Sequence, residues 1–99
     1  MQLCKQVLRT LAAAMQGCAD TVLAECEVLS VEPFPHAGRL HVVVAPRVGA
    51  PPVAGRDVVA RLGVARGFLR SQLVGVLSRK RIPELVFALG PSLEVLDGQ

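Results

Sequence analysis

Apolar residues in the first eighteen positions recur at steps of three and four, and from position 22 they recur at steps of two. No all-helical or all-β fold accommodates both periods, so the chain must mix helix and strand. Leu3, Cys4, Val7, Leu8, Leu11, Ala12 and Met15 form one stripe of an amphipathic helix that ends near Gly17. Val22, Ala24, Cys26 and Val28 alternate with Thr21, Leu23, Glu25 and Glu27, which predicts a strand with one half-wet face. The run Pro33, Phe34, Pro35, His36, Ala37, Gly38 breaks that ladder, and Leu40 to Ala45 resumes it as the second arm of a long hairpin. Arg47 to Pro52 reads as a loop. Helical spacing then returns over Val53 to Val64 and over Phe68 to Ser78, predicting two helices that meet near Gly67. Pro83 stops the second, and Leu85 to Leu89 make a short buried strand ended by Gly90 and Pro91. The expected order is α-β-β-α-α-β, an α+β fold with a three-stranded sheet packed on three helices. The last few residues are expected to fray.

With 99 residues the chain is expected to form a single domain over 1–99, and 52% apolar residues exclude intrinsic disorder. A chain of this size buries one core but has too little material for a deep internal cleft as well. Cys4, Cys18 and Cys26 are odd in number and show no C-x-x-C spacing, so neither a disulfide framework nor a zinc knuckle is indicated. No segment reaches the roughly 18 uninterrupted apolar residues of a membrane span, and Lys5 and Arg9 interrupt the N-terminal helix where a signal peptide would be apolar. A reduced, cytoplasmic setting is expected, with no membrane partner.

The charges are sorted along the chain. Met1 to Gly38 holds two bases against four acids. Arg39 to Arg81 holds nine bases against Asp57 alone, and the tail from Ile82 holds three acids and no base. A basic block of this kind points to a polyanion as partner, nucleic acid before membrane. Catalysis has no comparable support. His36 and His41 have no serine in a G-x-S-x-G elbow beside them, and the histidines, cysteines and carboxylates show no metal-ligand spacing. Glu25 and Glu27, about 7 Å apart on one strand face by strand rise, read as a solvated face in a chain with no second lobe. The expectation is a non-enzymatic protein with no metal, cofactor or small-molecule substrate. Neither a phosphate-binding glycine loop nor an aromatic stacking sheet is present, since Phe34, Phe68 and Phe87 are the only aromatics. Contact with nucleic acid must therefore run through arginine, backbone and shape.

The stretch Asp57 to Leu77, DVVARLGVARGFLRSQLVGVL, carries most of the information and supports more than one interpretation. As a helix-turn-helix, Gly63 and Val64 would form the turn, Leu69 and Leu73 the buried positions of a recognition helix, and Arg66, Arg70 and Ser71 would face DNA. As a protein-interaction module, the same basic helices would engage an acidic partner.

A third interpretation rests on Gly67-Phe68-Leu69-Arg70 and Arg81-Ile82-Pro83-Glu84-Leu85-Val86-Phe87, with a weaker strand match over Glu25 to Val44. These segments resemble the ribosome-binding factor A family. The resemblance implies a type II KH-like domain in which a kinked Ala-x-Gly junction between two helices replaces the GxxG clamp. Ala65-Arg66-Gly67 matches that junction, and no GxxG occurs in the chain. It further implies a ribosome assembly factor, monomeric, that binds the free small (30S) subunit and its 16S rRNA and assists late maturation, including 5′-end processing of the rRNA precursor. The chain departs from the family's pattern in its Pro/Gly-rich stretches 33–38 and 47–55.

The physics of the same residues agrees. A helix beginning after Gly67 would offer unpaired N–H groups and a positive dipole end to a phosphate, with Arg66 beside it. Arg79, Lys80 and Arg81 would end that helix, where cations offset the dipole. The expected RNA-binding set is Arg61, Arg66, Gly67, Arg70, Arg79, Lys80 and Arg81. Within it Arg70 lies at the edge of the apolar face, suited also to a structural role, and Gly67 permits the kink.

Overall fold

The computed structural model describes residues 2–33, 38–77 and 81–90. Helix α1 (Gln2–Gln16) is followed by a one-turn helix α2 (Thr21–Ala24) and strands β1 (Cys26–Pro33) and β2 (Arg39–Pro46). The long helix α3 (Gly55–Val74) and strand β3 (Glu84–Leu89) complete the order. The three strands form one sheet in the order β1-β2-β3, with β1 antiparallel and β3 parallel to the central β2. A parallel neighbour requires a crossover between the two strands, and α3 supplies it.

Strand alternation decides which face of the sheet the helices cover. Leu40, Val42 and Val44 of β2 and Leu85 of β3 are buried toward α1 and α3, whereas Glu27, Glu32 and Val86 are exposed. In β1 the register slips by one residue at Leu29: Val28 lies opposite Val44, but Ser30 lies opposite Val43. This bulge switches the inward set from even to odd numbers, so that both Cys26 and Val31 reach the core. Helix α1 closes the core with Cys4, Val7, Leu11 and Met15, all buried at the spacing the sequence predicts.

Three expectations are corrected. Thr21 to Ala24 form a helical turn rather than the start of a strand. The Asp20 carboxylate accepts hydrogen bonds from Val22 N (2.9 Å) and Leu23 N (3.4 Å), an N-cap that outweighs a short stretch of alternation. Glu25 consequently caps α2 and is not on the strand with Glu27.

The two helices expected over 53–64 and 68–78 are one. The helix α3 runs without interruption through Gly63, Val64 and Gly67, so the order is α-α-β-β-α-β and the third helix of the fold is α2. Each glycine costs a helix interior about 1 kcal/mol relative to alanine. Against this, Val58, Leu62, Leu69 and Leu73 are completely buried along one stripe of α3, with Ala65 half-buried between them. Each such side chain contributes about 1.5–3 kcal/mol by leaving water, so packing prevails over the local weakness. No turn exists at Gly63 and Val64, and the helix-turn-helix alternative is excluded.

Finally, α3 ends at Val74, well before Pro83. Val76 N and Leu77 N both donate to the Leu73 carbonyl, in a turn that returns Leu77 to the core at 7% exposure. Pro83 is buried just before β3. The loop at 34–37 and the frayed end expected near 99 lie outside the described residues.

Candidate nucleic-acid interface

Helix α3 carries four of the expected RNA-binding residues, and the buried stripe separates them into two flanks. At about 100° per residue, Arg66 and Arg70 fall on one side of the Leu62–Leu69 line and Arg61 falls on the other. Contacts confirm the division. Arg61 reaches α2, where its Nη1 donates to both carboxylate oxygens of Asp20 at 3.1 Å. Arg70 reaches the segment before β3, where its Nη2 donates to the Ile82 carbonyl at 3.1 Å. Both guanidinium groups thus have structural partners, Arg61 tying α3 to the cap of α2 and Arg70 tying it to the entry of β3. Partial burial pushes the Asp20 carboxyl upward, but the Arg61 hydrogen bond, the Leu23 and Val22 N–H groups and the Arg61 charge together hold it below the usual carboxylate range.

Arg66 differs from both. It is exposed on the flank shared with Arg70, and among the described residues no hydrogen bond or ion pair engages its guanidinium. Gly67 follows it on the solvent side, where a Cβ would meet nothing within 4 Å; the same holds at Gly63. Neither has a positive φ. The fold itself therefore does not require glycine at either position. The solvent face between the flanks is low at Ala60, Gly63, Gly67 and Ser71, while Val64 at 89% exposure and Val74 at 61% stand out from it.

The anion site expected at a helix start after Gly67 is absent, because these N–H groups lie within a continuous helix. Arg81 is exposed but sits in the connection to β3 rather than at a helix end, so it does not cap α3. Arg79 and Lys80 lie outside the described residues. Sequence reasoning missed Arg39, which is exposed beside this segment and lies 3.4 Å from Glu84 across the parallel β2–β3 pair. Its position at the start of β2, in the basic block, was the available signal. Among the described residues no cluster of histidine, cysteine and carboxylate groups could hold a metal ion. No helix among them is long and apolar enough to cross a membrane.

A three-stranded mixed sheet with helices on one face, and a long arginine-bearing helix leading into the parallel strand, make this an α+β fold of one sheet and one helical layer. Ribosome-binding factor A from Thermus thermophilus has the same fold. Its solved structure matches with a TM-score of 0.77 and 24% sequence identity, covering 91% of this chain and 97% of that one. No protein-family model matches the chain, and no curated protein does. The resemblance read from Gly67–Arg70 and Arg81–Phe87 is thus met by a fold shared over nearly the whole of both chains.

Proposed function

We propose that the chain is a ribosome assembly factor of the ribosome-binding factor A type, a single, monomeric, cytoplasmic KH-like domain without catalytic activity. It binds the free small (30S) subunit through 16S rRNA and assists late maturation, including 5′-end processing. The observation that carries this reading is the fold shared with a protein named for ribosome binding, over about nine tenths of this chain. The charge pattern supports it: the basic block of residues 39–81 spans α3 and its approach to β3, where Arg66 and Arg81 are exposed. In this reading Arg66 is the primary phosphate contact, Arg81 with Arg79 and Lys80 extends the basic track, and Gly67 lets the RNA backbone approach the helix. Arg61 and Arg70 contribute to the field while bound to Asp20 and Ile82.

The experiment is sedimentation of the tagged protein through a lysate gradient at low and moderate salt, with and without ribonuclease. Co-migration with free small subunits, reversed by salt and by ribonuclease, is the expected result. A protein that stays at the top under every condition, or whose association survives ribonuclease, refutes the reading, the second outcome favouring an acidic protein partner. Arg66→Ala should weaken binding and lower the slope of log affinity against log salt by roughly one unit, as loss of one phosphate contact does, with the melting temperature unchanged.

A further inference from the structure

Helix α3 carries a short apolar ridge that the fold does not use. Val64 and Phe68, one turn apart on the solvent face, are 89% and 45% exposed, and neither packs against the core. Phe68 is the only exposed aromatic side chain among the described residues, and the chain has no tryptophan or tyrosine. Phe87, by contrast, is half-buried against the core. Folding thus accounts for one of these two rings and leaves the other on the surface of the most basic element.

Helical spacing sets what surrounds the ridge. Residues three apart are neighbours on a helix surface, with about 5–6 Å between their Cβ atoms. Along Ala60, Gly63 and Arg66, and again along Val64, Gly67 and Arg70, such a row runs from a small or apolar side chain through glycine to arginine. The two glycines form a saddle between the ridge and the guanidinium groups, where a Cβ would meet nothing within 4 Å. Toward the N-terminus the ridge is closed to anions. Asp57, two turns before Val64, shares a shallow depression with Ala60, Asp20 and Arg61, and the Arg61 charge is matched there by Asp20 at 3.1 Å. Arg56 stands beside Asp57 in the first turn of α3, about 15 Å from Arg66 by helical rise. Arg70 gives one N–H to the neutral Ile82 carbonyl and keeps its charge and its other donors. An anion beside the ridge is therefore drawn across the saddle to Arg66 and Arg70.

We propose that Phe68, with Val64, is the stacking platform for one unpaired base of single-stranded RNA, whose sugar crosses the saddle at Gly63 and Gly67 and whose phosphate lies against Arg66 and Arg70. The platform rests on the RNA reading of α3 and narrows it. Within a duplex each base face is covered by its neighbours, so only an unpaired, splayed-out base can stack on a side chain. An aromatic contact is thereby added to binding that the sequence assigns to arginine, backbone and shape. A protein partner fits less well, because a stable interface buries about 800 Å² on each side around an apolar centre. The ridge offers two side chains, and the other large exposed apolar residues of α3, Val59 and Val74, fall on the arginine flank.

Fluorescence anisotropy of a labelled decauridylate and of an abasic strand with the same number of phosphates, titrated at low salt with the full chain, tests the platform. The decauridylate should bind about tenfold or more tighter than the abasic strand, as loss of base stacking predicts. Phe68→Leu keeps the apolar bulk and removes the ring; it should weaken decauridylate about tenfold, leave the abasic strand unchanged and keep the melting temperature. Arg66→Ala should weaken both strands. Phe68→Trp should retain binding, and its emission, from the single tryptophan of the chain, should be quenched by decauridylate and not by the abasic strand. Equal affinity for the two strands, equal affinity of the wild type and Phe68→Leu, or an unquenched tryptophan at saturation would each overturn the platform. So would failure to bind decauridylate, or a ribonuclease-resistant association lost in Phe68→Leu, which would give the ridge to a protein partner. In the first four cases continued, ribonuclease-sensitive sedimentation with small subunits leaves the RNA reading standing; a protein that never sediments with them overturns reading and platform together.

Discussion

Replacing Gly67 by alanine sets the continuous helix against the kinked junction implied by the resemblance. In the continuous helix Gly67 has helical backbone angles, and an added methyl group would enter open space on the solvent side. The substitution then removes only the entropic cost of glycine, so the protein should gain about 1 kcal/mol, and the same argument applies to Gly63. For a domain of this size about 1 kcal/mol raises the melting temperature by roughly 4–8 °C. Thermal and urea unfolding followed by circular dichroism measure the effect, with the urea m-value unchanged if the native state is otherwise the same. A destabilised Gly67→Ala protein would refute the reasoning, since it would mean that glycine is required for a bend at this point. If the RNA backbone approaches here, the stabilised variant should also bind the small subunit more weakly, which separates what the helix needs from what the ligand needs.

The remaining predictions concern the contacts around α3. Asp20→Ala removes both the α2 cap and the Arg61 pair and should cost about 1–2 kcal/mol, mostly from the cap, while a double-mutant cycle with Arg61→Ala should give a coupling of at most about 1 kcal/mol in urea unfolding. Because the folded carboxyl of Asp20 lies below its ordinary value of 3.8, its contribution is complete above that pH and is lost as the pH falls through the folded value; Asp20→Asn should flatten the decline in melting temperature below about pH 4. Leu62→Ala, at a fully buried position in the N-terminal half of α3, should cost about 2–5 kcal/mol in the same assay.

The class of fold is legible in the sequence because α1 repeats one period over fifteen residues and β2 and β3 are apolar runs bounded by turn residues, although β3, expected to be buried, exposes Val86 and Leu89. Cys4, Val7, Leu11 and Met15 share one helix face as predicted, and within the apolar run of β2 it is Leu40, Val42 and Val44 that turn into the core. The elements read differently are those where one residue's hydrogen bonds or distant packing decides. Asp20 turns a stretch of strand-like alternation into a helical turn, and that effect depends on a single capping side chain. Leu29 is an added residue in β1, and nothing in an alternating pattern shows that the strand changes phase there. Gly63 and Gly67 look like punctuation, yet the stripe from Val58 to Leu73 is continuous across them and could have been counted as one helix. For the candidate site, the basic block identifies the right helix, but the partners of its arginines come from afar. Arg61 pairs with a residue 41 positions away, and Arg70 with a carbonyl 12 positions away. Spacing along α3 does not reveal that, of these three, Arg66 alone has no such partner among the described residues.

The mixed pairing of β2 has a kinetic consequence. Its bonds to β1 can form as a local hairpin, with Pro33 opposite Leu40, whereas its bonds to β3 join Leu40 to Leu85 across the whole of α3. Closing that long loop costs chain entropy before any contact is gained, so the parallel edge should form last. During synthesis, β2 would stand as an unprotected strand edge, with Leu40, Val42 and Val44 uncovered on their β3 side, until residue 89 had left the ribosome. The vulnerable interval in the life of this molecule is therefore the time taken to translate α3 and the residues after it.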